Sequence, residues 1–395
     1  MTLSAMALIA ITAQAQWTLQ NSNSTASLRG IHSLGGGIAW ASGTDGTVLR
    51  TEDGGYLWQT CTIPPGAEKL DFRGIQAFDA NTAIVMSSGK GNLSRLYKTT
   101  DGCQSWKLIF TNPDKDGFWD AIKMTDRTIG ILIGDPISDG EQFAHFRLQK
   151  RVPVFPTYHT VDGGITWKRN DHGQLTALAG PDGAPAESIF AASNSSLQIG
   201  PYVLLFITGG QKSNLHYLQL TKEPLPPFCK EPCSLASETG SALPGSESAG
   251  GFSLAANFDS WQSQVAPESQ RLVIVGGDYK ASEAATGTAA LCSLKMEGII
   301  MHYSCESAIT FPHGYRSAVA YDAATKTWIT VGPNGTDIST DDGKNWRVVK
   351  PNASLNEPAD ADKNWNALSL PFVVGPHGRI GKLNEPALKA ALTTK

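Results

Sequence analysis

Four segments of the chain share one pattern, and it narrows the possible folds more than any other feature: T-E-D-G-G-Y-L-W at 51–58, T-T-D-G-C-Q-S-W at 99–106, T-V-D-G-G-I-T-W at 160–167 and S-T-D-D-G-K-N-W at 339–346. The pattern is Ser/Thr-x-Asp-x-Gly-x-x-Trp, the Asp-box or BNR repeat, and such self-similarity marks an architecture assembled from copies of one unit. Each position has a mechanical job. The Asp carboxylate accepts hydrogen bonds from turn amides, Gly supplies the positive φ of a tight hairpin, and Trp packs between neighbouring sheets. Asp53, Asp101, Asp162 and Asp341, with Trp58, Trp106, Trp167 and Trp346, are therefore read as structural, although the carboxylates look like catalytic acids.

Each box follows an apolar strand, a turn, a second strand ending near Gly, and a third strand. In the first copy these are 28–34, 38–43 and 46–51; equivalent openings start at 72, 119, 187, 251, 315 and 365, which makes seven. The last repeat stops without a box, so its sheet lacks an outer strand. W-T-L-Q at 17–20 matches the segments that follow the other boxes, such as W-K-L-I and W-R-V-V. The expectation is an all-β, seven-bladed β-propeller of four-stranded antiparallel blades, closed by the N-terminal strand completing the last blade, an arrangement that hides its sheet edges. An eighth blade would have to lie between Trp167 and Trp346, where only three openings fall; six would discard a good opening. Longer excursions occur at 136–158, 222–250 and 280–288; the second, rich in Pro, Ser, Gly and Glu, reads as a surface loop rather than a domain linker, because the repeat resumes directly after it.

The 40 Gly and 22 Pro are spread along the chain, as many short strands and turns require. A formal net charge of -4 offers nothing to a nucleic acid. Residues 1–15 end in Ala13-Gln14-Ala15, a signal-peptidase pattern, although no Lys or Arg precedes Arg29. The expected organisation is a signal peptide at 1–15, one propeller at 16–385 and a tail at 386–395. No membrane span is expected, and the predicted location is periplasmic or secreted, as a monomer. Six cysteines suit an oxidising compartment, with Cys61–Cys103, Cys229–Cys233 and Cys292–Cys305 as the pairing by proximity. Zinc at Cys229 and Cys233 is the weaker reading, since no second close pair accompanies them. No cofactor or metal motif is found; 112–117 opens like a calcium loop, but Lys123 stands where the bidentate Glu belongs.

In an up-and-down blade the first strand begins, and the second ends, on the face opposite the Asp boxes. That face collects Arg29, Arg73, Asp120, Glu187, Phe252 and Arg316 from first strands, and Asp135, Asp278, Tyr279 and His377 from second-strand ends. Three arginines from three blades can grip a carboxylate, phosphate or acidic peptide bidentately. The alternative pairs them with Asp120, Asp135 and Asp278 as a polar channel lining. Phe252, Tyr279 and Tyr315 offer contact area for a partner or packing between blades.

R-G-I, G-T-V-L-R-T-E-D-G-G, L-Y-K-T-T-D-G, V-G-G-D-Y-K and Y-R-S-A-V-A-Y, in that order around one ring, resemble the bacterial Asp-box propellers called photosystem II stability/assembly factor-like. The resemblance covers nearly all of the mature chain. It implies an exported, non-enzymatic scaffold that binds a client protein or acidic peptide segment on a basic face, with Arg29, Arg73 and Arg316 as candidates. Asp boxes also occur in sialidases and in glucanases, so the alternative is a glycoside hydrolase with Asp135, Glu187 and Tyr315 as catalytic residues. Against it stand seven openings rather than six, no F-R-I-P motif and a single propeller.

Overall fold

The structure, a computed structural model, describes residues 17–138, 153–170, 175–181, 183–200, 203–219, 236–257, 270–297, 300–351 and 357–393. Seven antiparallel sheets stand around one axis as blades of a propeller. The first blade runs outward through Leu28–Gly35, Ile38–Gly43, Val48–Thr51 and Gln59–Thr60, and the second through Phe72–Ala77, Ala83–Ser87, Arg95–Thr99 and Lys107–Thr111. The third begins at Trp119–Met124, the fifth is built on Ser246–Ala256 and the sixth on Ala318–Asp322. The seventh holds Ala367–Ser369, Phe372–Val374 and Ile380–Leu383, and its outer strand is the N-terminal Trp17–Gln20. Trp17 pairs with Leu383 and Gln20 with Ile380, so the closure expected from W-T-L-Q is present.

Two expectations need correction in detail. The fourth blade does not open with a strand at 187–192; its inner strand is Leu197–Gly200, and 187–192 is irregular, touching the ladder only where Ser188 bridges Gly209. Nor are the final residues a tail: Glu385–Thr393 form a helix whose Ala387 and Leu388 are buried, with Leu388 in the same apolar cluster as Trp17, Val349 and Trp365. The proposed leader and the pair Cys229 and Cys233 lie outside the described residues.

The Asp boxes are turns that satisfy themselves. Thr51 Oγ1 donates to Asp53 Oδ1 at 2.9 Å and accepts the Gly55 N–H at 2.9 Å, while Asp53 Oδ1 accepts the Leu57 N–H at 3.0 Å. The same triangle recurs around Asp101, Asp162 and Asp341. The turn needs two consecutive left-handed residues, Gly54 and Gly55 at φ 75° and 89°. In the second box Cys103 takes the second of these positions at φ 64°, which the disulfide to Cys61 accompanies. These carboxylates therefore carry structure. Hydrogen bonds from Ser105 and Thr99 push Asp101 down to about 2.

Each box Trp wedges against the preceding blade. Trp58 meets Phe372 edge-on at 5.4 Å, and Trp346 packs with Val273 and Trp328. The remaining described disulfide, Cys292–Cys305, joins facing strands of the fifth blade, and two such bridges suit an oxidising compartment. Among the described residues no helix is long and apolar enough to cross a membrane.

Candidate functional site: the arginine-bearing mouth of the channel

Arg29, Arg73, Asp120 and Phe252 share a local cause for their position. Each sits where the register of its inner strand shifts, between Leu28 and Gly30, Phe72 and Gly74, Trp119 and Ala121, and Gly251 and Ser253. A bulge leaves one residue out of the ladder and re-aims its side chain, here at the same height in four blades. The Gly of R-G-I serves close approach: a Cβ on Gly30 would stand 2.5 Å from Ser42 Oγ and 3.1 Å from the Arg73 carbonyl.

Arg29 and Arg73 meet over one carboxylate. Arg73 Nε donates to Asp71 Oδ2 at 2.8 Å, and Arg29 Nε lies 3.5 Å from Asp71 Oδ1, too far for a hydrogen bond. Arg29 Nε and Asp71 Oδ1 accordingly have no hydrogen-bond partner among the described residues. Both arginine side chains keep about a third of their surface open, 32% and 28%. Arg73 Nη1 also donates to the Ala191 carbonyl at 3.2 Å. Burial lowers the Arg29 pKa, opposed by Asp71; burial likewise raises that of Tyr315, with Arg29 opposing.

Arg316 does not join them. It is 0% exposed and turns into its own blade, where Nε donates to Asp337 Oδ2 at 2.8 Å, Nη2 reaches the same oxygen and Nη1 donates to the Tyr315 carbonyl at 2.7 Å. His313 Nδ1 and Asn334 Oδ1 complete its shell. The expected three-arginine grip is thus a pair, because the buried carboxylate of Asp337 captures the third guanidinium. Asp337 comes from the third strand of that blade, where sequence reasoning had not looked.

Beside the pair lie two unusual acids. Asp120 is fully buried, and neither carboxyl oxygen has a hydrogen-bond partner among the described residues. Burial and the neighbouring Asp135 push its pKa well up, with Arg73 opposing. Asp135 accepts the Ile189 N–H at 2.8 Å, and burial pushes it up to about 7. Burial thus works against the charged form of both acids, and Asp71 is the carboxylate that meets the arginine pair. Since the folded-state value of Asp135 exceeds its unfolded one, the folded chain holds extra protons between about pH 4 and about pH 7, and stability falls as pH rises through that window. Asp135→Asn is expected to remove a part of that fall on the order of 1–3 kcal/mol, read from denaturant unfolding at the two ends of the window. An unchanged pH slope would contradict the assignment.

The opposite side of the mouth is aromatic. Phe190 stacks on Phe252 at 4.2 Å, Phe252 meets Tyr315 edge-on at 4.8 Å, and Tyr279, 47% exposed, stands edge-on to Phe190 and Phe252 at 6.3 and 6.2 Å. Tyr315 is buried and Asp278 caps the short turn after its strand, accepting the Lys280 N–H at 2.9 Å. His377 is exposed at φ 56° on the turn between the second and third strands of the seventh blade, and among the described residues it makes no hydrogen bond or ion pair with Arg29 or Arg73. Glu187 is closed off: it accepts from Asn214 Nδ2 and the Leu178 N–H, and faces His216 Nε2 at 3.1 Å. Glu187, His216 and Glu238 each offer a ligand atom within 4.8 Å of the others, the one such group among the described residues.

Sequence reasoning missed Asp71 and Phe190. Asp71 was legible two residues before Arg73; Phe190 lay inside a segment expected to be a ladder strand.

No family model matches the chain, and no curated protein matches its sequence. Among solved structures it is similar to YCF48 bound to a D1 peptide, with TM-score 0.55 and 15% identity over 94% of this chain and 99% of that one. It is likewise similar to YCF48 from Cyanidioschyzon merolae, with TM-score 0.57 and 18% identity over the same shares. An ancestral GH74 enzyme aligns with 85% of this chain and 48% of its own at TM-score 0.44 and 11% identity. At such identities the likeness is one of fold.

Proposed function

We propose that this propeller is a periplasmic or secreted, non-enzymatic scaffold that holds a carboxylate-bearing segment of a client protein at the mouth formed by Arg29, Arg73 and the Phe190–Phe252–Tyr279–Tyr315 cluster. The observation that carries the reading is the two-to-one ratio at Asp71: two partly exposed guanidiniums share one carboxylate, and Arg29 makes no hydrogen bond to it. A second carboxylate, supplied by a peptide, would complete that arrangement with charge-assisted hydrogen bonds. Tyr279 provides an exposed amphipathic surface beside it. That a propeller of the same fold has been seen with a D1 peptide supports a peptide as the occupant. The same assembly-factor role is the wider proposal, with the client left to chemistry: an acidic or C-terminal segment.

The test is fluorescence anisotropy with a labelled Asp/Glu-rich peptide and its Asn/Gln counterpart. Arg29→Ala/Arg73→Ala is expected to weaken binding of the acidic peptide at least tenfold, since hydrogen bonds to charged groups contribute about 1.5–3 kcal/mol each. Its melting temperature should stay close to wild type. Equal affinity for the two peptides, or no loss in the double variant, would remove the site.

One observation favours the hydrolase alternative: a carboxyl at about 7 is what a general acid needs. Its named partners do not gather around it, however, because Glu187 and Tyr315 are buried in contacts of their own. Fluorophore release from sialosides or glucans, abolished by Asp135→Asn, would shift the conclusion to that reading.

A further inference from the structure

Apart from the mouth, a polar cleft of about 510 Å³ opens where loops of the fifth, sixth and seventh blades meet, a volume in the range of small-molecule sites. The turn at Pro333 and Asn334 joins the second and third strands of the sixth blade, Thr327–Gly332 and Gly335–Ser339, and Lys350 follows the outer strand Arg347–Val349. The link into the seventh blade folds into two overlapping turns. In them the Ala361 N–H donates to the Pro358 carbonyl and the Lys363 N–H to the Asp360 carbonyl, both at 2.9 Å. The Asn364 N–H then reaches the Pro333 carbonyl at 3.0 Å, and Thr336 Oγ1 donates to the Asp362 carbonyl at 3.0 Å. These bonds hold Asp362 in the wall of the cleft.

Asp362 is 2% exposed, and its Oδ1 has no hydrogen-bond partner among the described residues. A buried carboxyl oxygen left without a donor costs stability, and a donor on a ligand would satisfy it. Burial raises the Asp362 pKa, opposed by Lys363, His313 and Lys350, so these side chains stand within electrostatic reach of the carboxyl. His313 is already engaged, with Nε2 at 3.0 Å from the Asn334 carbonyl and Nδ1 at 2.9 Å from Asp337 Oδ1. Lys350 and Lys363 are exposed and make no ion pair or hydrogen bond through Nζ among the described residues. Glu283 is an exposed carboxylate on the same cleft, held loosely by Asn334 Nδ2 at 3.4 Å.

The cleft therefore carries both signs of charge with little pairing between them. A ligand of a single sign meets its like on the wall: an anion faces Asp362 and Glu283, and a cation faces Lys350 and Lys363. We infer that the cleft holds a small zwitterion of the amino-acid class, whose ammonium meets the carboxyls of Asp362 and Glu283 and whose carboxylate meets Lys350 and Lys363. Pro333, Pro351 and Ala359 supply an apolar wall for the rest of the molecule. None of the arginines and aromatic residues of the mouth lines this cleft, and the inference does not depend on the peptide reading.

Calorimetric titration with glycine, L-leucine and L-glutamine, each beside its N-acetyl and methyl-ester forms, tests it. Wild type is expected to bind at least one of the three tenfold or more tighter than both of its blocked forms, since each block removes one of the two charges. Lys350→Met/Lys363→Met is expected to lose at least tenfold of that affinity. Asp362→Asn, which keeps the side chain's shape, should lose as much while melting within about 2 °C of wild type. Arg29→Ala/Arg73→Ala should keep the affinity, so that failure of the mouth and failure of the cleft are told apart. No measurable binding of any of the three, equal affinity for intact and blocked forms, affinity that survives the lysine double variant, or its loss with the arginine pair would overturn the assignment.

Discussion

Arg316→Met is expected to cost about 3–5 kcal/mol of folding stability, the loss that follows when one partner of a buried ion pair is removed. Arg316 is 0% exposed and Asp337 1% exposed, so water cannot solvate the carboxylate left behind. The guanidinium also bonds the Tyr315 carbonyl and Asn334 Oδ1, tying the entry of the sixth blade to the turn between its second and third strands. Replacing both partners should be far milder: Arg316→Met/Asp337→Leu is expected to recover most of the loss, since an apolar pair of similar volume avoids the desolvation of two charges. Denaturant unfolding of the single and double variants decides it. A single-variant loss below about 1 kcal/mol, or a double variant no better than the single, would show that the pair is not the interaction described.

Trp17→Ala should be comparably damaging, at about 3–5 kcal/mol for deletion of a buried indole. Trp17 is 1% exposed, stands 6.2 Å from Trp365 and donates its indole N–H to Thr336 Oγ1 of the sixth blade at 3.0 Å. It begins the four-residue strand that closes the ring, so its loss also frees the edge of Ile380–Leu383 for pairing with other chains. The expected signature is a lower melting temperature together with concentration-dependent aggregation. Melting within about 2 °C of wild type would mean that the ring does not rely on this strand.

How far the molecule could be read in advance follows from the range of the forces involved. The Asp boxes were legible because their hydrogen bonds join residues two and four apart, as Thr51, Asp53, Gly55 and Leu57 illustrate. The closing strand was legible because Trp17–Gln20 carries the residue pattern of the other outer strands. The fourth opening was misplaced for the converse reason: 187–192 has a strand's composition, but Asn194 and Ser193 draw the following residues across the channel to Ile122 and Ser317, more than 70 residues away in sequence. The tail expected at 386–395 overlooked a local signal, since Asn384 accepts the Ala387 N–H as a cap and Pro386 suits a first helical turn. Burial of Leu388 with Trp17 and Val349 then secures so short a helix.

By itself, then, the order of residues determined the repeat, the number of blades and the way the ring closes, all of which rest on turn chemistry and strand periodicity inside one blade. Only the tertiary structure decided which charges face one another: that Arg29 and Arg73 converge on Asp71 while Arg316 is captured by Asp337, and that Asp120 is left without a hydrogen-bond partner among the described residues. Those outcomes depend on distances between blades, and Coulomb energy and desolvation are set by such distances and by burial.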